Sequence, residues 1–253
     1  MAGEKEMSFW DHLDELRGTL FRSALFLCAF SCLGLCFRSF LFDGIILAPS
    51  RPDFWLYRLL GWNIKIDLVN IELSAQFFVH LRASMAVGFI LSFPFIISEI
   101  WRFVAPALYM GEKRVLRRAF LLSTVLFYLG VLVGYFLVLP LCLQFFINYT
   151  VSAEVVNTIS LGSYMSMFTS MVLLNGVVFE FPTAVMALSR LGVIDRADLR
   201  KWRKYAFVAI LIVAAVITPA DPVSMFVLAI PMYLLYEFSI LLCSSQKKPA
   251  LGE

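Results

Sequence analysis

The sequence predicts an all-α integral membrane protein with six transmembrane helices, and three observations predict it. Of the 253 residues, 61% are hydrophobic and only 15% charged, with a mean hydropathy of +0.85. Average globular chains run nearer half apolar and about a quarter charged. Apolar windows near the roughly 20 residues that cross a hydrocarbon core of about 30 Å recur along the chain. Lys and Arg are divided unevenly between the segments that join them. The 25 Phe, 10 Met and 10 Pro argue against disorder, collagen or a solenoid, and a net charge of +3 is too small to suggest nucleic-acid binding.

The spans are expected near 20–41, 74–98, 119–139, 165–188, 205–217 and 223–243, in a single polytopic membrane domain over 1–253. Ahead of the first span, Ser8 to Arg17 reads as a short amphipathic surface helix with Phe9, Leu13 and Leu16 on one face and Trp10 at the interface. Glu4, Glu6, Asp11, Asp14 and Glu15 precede that span and no small-residue cleavage site follows it, so no cleavable signal is expected. Segment 42–75 carries Pro49, Pro52 and aromatic residues and reads as an ordered cap of short helices. The fifth window, Tyr205 to Ile217, reaches only about 20 Å. It must tilt, thin the bilayer locally, or form half of a tight hairpin with the sixth around Pro219 and Asp221, so the last two spans are short. Pro94 and Pro106 mark the turn expected after the second span.

Orientation follows from the cations. Segments 1–18, 101–118, 189–204 and 244–253 hold two, five, six and two Lys or Arg, against four, none and none in 37–75, 140–164 and 218–222. Both termini are therefore expected in the cytoplasm. Arg22 and Arg82 lie within spans.

Little in the chain suits catalysis. There is no phosphate-binding glycine loop, no His-Glu-x-x-His and no Gly-x-Ser-x-Gly. The only histidines are His12 and His80. The five Cys lack paired spacing, and Cys28, Cys32 and Cys36, four apart on one helical face, read as packing residues. No metal, cofactor or enzymatic activity is expected. The functional suspects are polar groups at membrane depth, foremost Glu180 in Phe179-Glu180-Phe181-Pro182, where Pro182 frees a carbonyl one turn back. Glu237 lies about two turns from the inner end of the last span. The basic loop Asp195–Lys204 can orient the chain, bind anionic lipid or touch cargo, and Asp198 is placed to cap a short helix.

Read together, His12-Leu13-x-Glu15-Leu16-Arg17, Leu91-Ser92-Phe93-Pro94, Glu99-Ile100-Trp101-Arg102-Phe103-Val104-Ala105-Pro106-Ala107-Leu108-Tyr109, Gly111-Glu112-Lys113-Arg114, Phe179-Glu180-Phe181-Pro182, Asp198-Leu199-Arg200, Thr218-Pro219-x-Asp221 and Pro231-Met232-Tyr233 resemble the TatC family of the twin-arginine protein translocase. The resemblance runs over essentially the whole chain. It implies a receptor in the bacterial cytoplasmic (inner) membrane that binds the twin-arginine signal peptides of folded cargo. It also implies recruitment of single-span TatA/TatB-type subunits, homo-oligomerisation within the receptor complex, and export driven by the proton-motive force. In the family, residues matching Glu112 and Phe103 lie at the signal-peptide site, with contributions from those matching Glu15 and Arg17. The acid matching Glu180 faces a concave groove for partner helices.

Physical chemistry agrees with these roles. A paired-arginine peptide needs a carboxylate near water that a guanidinium can engage in a bidentate, charge-assisted pair. Glu112 is the only acid in 101–118, although an acid there would also favour the start of the third span's helix. Trp101 reads as an interfacial aromatic, and Tyr109 as either that or a peptide contact. Two departures from the family pattern stand out: Ala220 replaces a second proline in the short turn, and Glu99 stands where Gln is common. Glu99 adds a carboxylate near the receptor face. The competing reading is a proton-coupled solute transporter using Glu180 and Glu237, and a third, an intramembrane enzyme, lacks a visible nucleophile and base.

Overall fold

The computed structural model describes residues 9–108, 113–150, 152, 157–190, 193–218 and 222–243. The described chain is mostly helical. Helix α1 runs Phe9–Cys36, followed by a π-helical turn at Phe40–Ile46, a 3-10 turn at Ala48–Ser50 and the short α2, Trp55–Leu60. After strand β1 (Leu68–Val69) come α3 (Ala75–Leu108), α4 (Lys113–Val133), a second π-helical stretch at Gly134–Val138 and α5 (Leu139–Asn148). Strand β2 (Ile159–Ser160) leads into α6 (Leu161–Val178), α7 (Phe181–Arg190), α8 (Arg196–Lys201), α9 (Arg203–Ile217) and α10 (Pro222–Leu242).

Four helical stretches are long and apolar enough to cross a membrane: Leu13–Cys36, Ala75–Phe103, Arg117–Asn148 and Leu161–Ser189. Met225–Leu241 is a shorter apolar helix, and α9 has 15 residues. This is the pattern of a multi-pass membrane protein.

Several expectations change on contact with the structure. The segment 8–17 is no separate surface helix, since its described part from Phe9 onward is the start of α1. Pro94 and Pro106 mark no turn. Both lie inside α3, whose 34 residues extend about 50 Å. A mid-helix proline costs a hydrogen bond because it has no N–H to give the carbonyl one turn back. For Pro94 that carbonyl belongs to Ile90, and the Tyr128 hydroxyl of α4 donates to it at 3.2 Å. The helix stays unbroken because a neighbour supplies the missing donor. The third span likewise extends beyond 139, through the π-helical stretch, with Pro140 where that stretch passes into α5.

The all-helical expectation needs one amendment: β1 pairs in parallel with β2, Leu68 with Ile159 and Val69 with Ser160. The cap before α3 is ordered as expected. Phe54, Tyr57 and Ile64 form its core, and the Tyr57 hydroxyl donates to the carbonyl of buried Pro49 at 2.7 Å. Burial, and secondarily nearby Tyr135, pushes that phenol above its ordinary range.

Helix α1 is peripheral. Only 11% of its apolar window is buried, against 39–44% for the other three long spans, and its main packing partner is α3. The two backbones come close because a Cβ at Gly88 would meet Ser31 at 2.3–2.7 Å. That contact fixes which face of α1 turns inward, and Cys28, Cys32 and Cys36 fall on the other: all three are exposed, not packing residues within the bundle. Spacing of four defines a stripe on a helix but not its direction.

Candidate functional site

Two carboxylates taken out of water organise the described structure, and each is held differently. The first is Glu99 near the carboxyl-terminal end of α3, 8% exposed. Its Oε2 accepts from Nε of Arg22 at 2.6 Å, and its Oε1 lies 3.5 Å from Nη1 of Arg102, one turn along the same helix. Thr19, buried on α1, lies 3.5 Å from Arg22 Nη2. Gly18 leaves the guanidinium its space, since a Cβ there would stand 3.1 Å from Arg22 Nη1. Glu15, Thr19 and Arg22 follow helical spacing along α1, and Oε2 of Glu15 is buried with no hydrogen-bond partner among the described residues. Arg17, by contrast, is exposed.

Phe103, half-buried, lies one turn beyond Glu99 on α3. Trp101 is not an interfacial residue: it is 6% exposed and packs with Phe93, Ile97, Ala119 and Phe127 between α3 and α4. The expected peptide contacts Tyr109 and Glu112 lie outside the described residues, as do Pro219 and Asp221 of the last hairpin. The structure therefore brings Glu15, Arg17, Glu99 and Phe103 to the same end of the α1–α3 pair.

The second carboxylate is Glu180. The fourth span breaks where α6 ends at Val178, and α7 restarts at Phe181 with Pro182 in its first turn. Glu180 sits in that break. Its Oε2 accepts from the Ser123 hydroxyl of α4 and lies 2.6 Å from the Thr183 hydroxyl, which is also 2.7 Å from the Glu180 carbonyl oxygen. Its Oε1 is buried without a hydrogen-bond partner among the described residues. Close approach of α4 to α6 makes the arrangement possible. Ser123, Phe127 and Gly130 recur at helical spacing on one face of α4, Gly134 follows at the start of the π-helical stretch, and a Cβ at Gly130 would fall 2.5 Å from the Asn175 carbonyl oxygen.

Beside Glu180 opens an apolar cavity of about 400 Å³, with Val177, Phe181, Ala209, Val213 and Met232 among its lining residues. The cavity wall is almost wholly apolar, and Glu180 contributes to its lining.

Glu237 of α10 is engaged otherwise. Its Oε2 accepts from Arg203 Nη2 at 2.5 Å and its Oε1 from the Tyr233 hydroxyl at 3.2 Å. The pair fastens α10 to the start of α9. The Tyr236 hydroxyl, donating to the Leu199 carbonyl at 2.6 Å, fastens it to α8. At the head of α8, Asp195 is the N-cap and Asp198 its reciprocal partner, so the cap is the residue three places before the one expected. Among the described residues no cluster of three or more His, Cys, Asp or Glu could hold a metal ion.

Sequence reasoning missed Arg22, Ser123, Thr183 and Arg203. Arg22 carried a signal, being a cation within an apolar span. Thr183 follows Glu180 by one helical turn. Nothing in one dimension points to Ser123, 57 residues away.

The family model for the Sec-independent protein translocase protein (TatC) matches residues 11–231. Curated relatives carrying that description include one from Blattabacterium sp. subsp. Periplaneta americana (strain BPLAN), 35% identical over 95% of this chain and 96% of its own length. Another, from Aquifex aeolicus (strain VF5), is 34% identical over 93% and 94%, and one from Escherichia coli (strain K12) is 36% identical over 68% and 67%. Two crystal structures of the twin-arginine translocase receptor TatC are also similar. One superposes with a TM-score of 0.77 at 34% identity, covering 91% of this chain and 97% of that one. The other, in the detergent DDM, gives 0.80 at 33%, covering 92% and 99%.

Proposed function

The chain belongs to the TatC family of Sec-independent protein translocase proteins, and from that membership we propose that it is the receptor that takes up twin-arginine signal peptides. The observation that carries the reading is its likeness to solved twin-arginine translocase receptors over more than nine-tenths of its length. As a translocase subunit it is a component of protein transport, and in this reading it catalyses no reaction. The solute-transporter alternative has no support among its relatives, and Glu237, which that alternative needs as a relay, is engaged by Arg203 and Tyr233.

In this reading the chain is one polytopic domain. It crosses the bacterial cytoplasmic membrane six times, α9 and α10 forming the short final pair, with both termini in the cytoplasm where most of its cations lie. The receptor face is the end of the α1–α3 pair that carries Glu15, Arg17 and Phe103, together with Glu112 and Tyr109 beyond it. A guanidinium of the peptide pairs with Glu112, while Phe103 meets an apolar part of the peptide. Glu99 serves that face indirectly. Its carboxylate is already held by Arg22 and Arg102, so it anchors α1 on α3 and leaves peptide binding to Glu112 and Glu15. Glu180, with its spare oxygen and adjoining apolar cavity, receives a polar group from the transmembrane helix of a TatA- or TatB-type subunit. The energy for export comes from the proton-motive force.

The test is binding of an Arg-Arg signal peptide and its Lys-Lys version to the purified protein, with wild type and Glu112→Ala. A strong preference for Arg-Arg that collapses in the variant is expected. Preference that survives the substitution would move the site to Glu15 or Glu99, and absence of preference in folded protein would overturn the receptor reading.

A further inference from the structure

We propose that α2 is an interfacial anchor. Its outward face, Trp55 and Leu59, lies in lipid at the headgroup boundary of the leaflet remote from Arg117 and Arg118, and seats the cap on the membrane. The sequence Trp-Leu-Tyr-Arg-Leu-Leu gives this helix apolar residues on both sides. Tyr57 points inward and is fully buried with Phe54 and Ile64 in the core of the cap. At about 100° per residue, Trp55 and Leu59 fall opposite Tyr57. They are 56% and 73% exposed. A cap surrounded by water would turn polar residues outward, whereas a helix apolar on both sides has apolar surroundings on both.

The third span sets the level of α2. Past the exposed cation Arg118, its exposed apolar stripe runs Leu121, Val125, Leu129, Leu132 and Leu137. The wider last step is that of the π-helical stretch. From Arg118 to Leu137 is about 28 Å, close to the roughly 30 Å of a hydrocarbon core. Beyond it, no residue from 138 to 147 is exposed, so lipid contact on this span ends at Leu137. Phe136, the residue before, meets Trp55 edge-on at 5.7 Å and stacks on Phe54 at 6.1 Å between ring centroids.

Those ring contacts hold the start of α2 where the lipid-facing stripe stops. Leu59 is one turn further on, at most about 6 Å from that level whatever the tilt of the helix. On the other side of Trp55 the surroundings turn polar: Asp43, Arg51 and Asp53 share an open cavity of about 370 Å³ with Trp55 and Phe136. An indole between charged groups and an apolar stripe is at the depth a membrane interface favours. Arg58, exposed beside Leu59, limits how far the helix can sink. The inference rests on the chain being a multi-pass membrane protein and is independent of the peptide-receptor reading.

The test places a nitroxide at Leu59→Cys in the full chain, its five native Cys replaced by Ala, in vesicles of phosphatidylethanolamine and phosphatidylglycerol. Relaxation by oxygen, which concentrates in lipid, is compared with relaxation by a water-soluble nickel chelate. Leu129→Cys and Asp67→Cys serve as lipid and water references. The Leu59 label should respond to oxygen over nickel, at a depth of about 5–10 Å, with the Leu129 label about 10 Å deeper. A nickel-dominated response like that at Asp67 would overturn the proposal. So would broadening between labels that vanishes on dilution with unlabelled protein, the mark of a second copy on this face. If the cysteine-free chain fails to fold, Trp55→Phe in the otherwise native chain gives the reading. Fluorescence quenching by lipids brominated high on their acyl chains should then fall below that of wild type, and unchanged quenching would overturn the anchor.

Discussion

Glu99 and Glu180 are both acids withdrawn from water, and they meet that situation in opposite ways. Glu99 is closed: Arg22 and Arg102 occupy its two oxygens, and the cost of burying it is met within the chain. Glu180 is open, with two hydroxyls on one oxygen, nothing described on the other, and an apolar cavity alongside. A satisfied buried charge is architecture. One left partly unsatisfied has capacity for a further partner, and the chain keeps it at a helix break where backbone and side chain are both within reach.

The contrast can be broken by substitution. The largest expected effect is Arg22→Leu, which leaves a buried carboxylate with Arg102, at 3.5 Å, as its one described cation. Thermal unfolding in detergent should show a loss of about 2–4 kcal/mol, the lower end reflecting the partial exposure of Arg22. Adding Glu99→Leu should recover at least half of it, and a cycle showing no coupling would mean that the pair does not hold α1. Gly130→Ala comes next. The added methyl pushes α4 from α6 and with it Ser123 from Glu180, at about 1–3 kcal/mol by the same measurement.

Glu180→Gln sharpens the comparison. It keeps an acceptor for Ser123 and Thr183, so stability should fall by only about 1 kcal/mol. Export of a twin-arginine reporter should nevertheless drop well below wild type. Unimpaired export would make Glu180 another architectural acid. Glu237→Gln should be the mildest, within about 1 kcal/mol, since its pair with Arg203 is partly exposed and screened.

Much of the fold was legible from hydropathy, because a lipid-facing span must be apolar nearly all round, and that leaves a long uninterrupted signal. Helix ends were not. The apolar signal stops where charged and polar residues begin, whereas α1 and α3 continue past that point. Pro94 and Pro106 read as punctuation, and for Pro94 the sequence does not show that Tyr128 of another helix supplies the missing donor to Ile90. The site divided similarly. Glu180 stood out as an acid against an apolar background, and Glu99 only as a departure from a familiar pattern. Ser123 was hidden since serine in a span is common, and only the closeness of α4 to α6 makes this one a ligand to the carboxylate. The direction of the Cys28–Cys36 stripe depended on Gly88, a residue on another helix.

The pairing of Arg22 with Glu99 has a consequence for how the chain is made. The two residues are 77 apart in sequence, so at about 5–20 residues per second a ribosome reaches Glu99 about 4–15 s after Arg22. During that interval the guanidinium of the first helix lacks Glu99, and the aqueous boundary is where that charge is cheapest to keep. The ion pair thus joins the first helix to one that is made several seconds later.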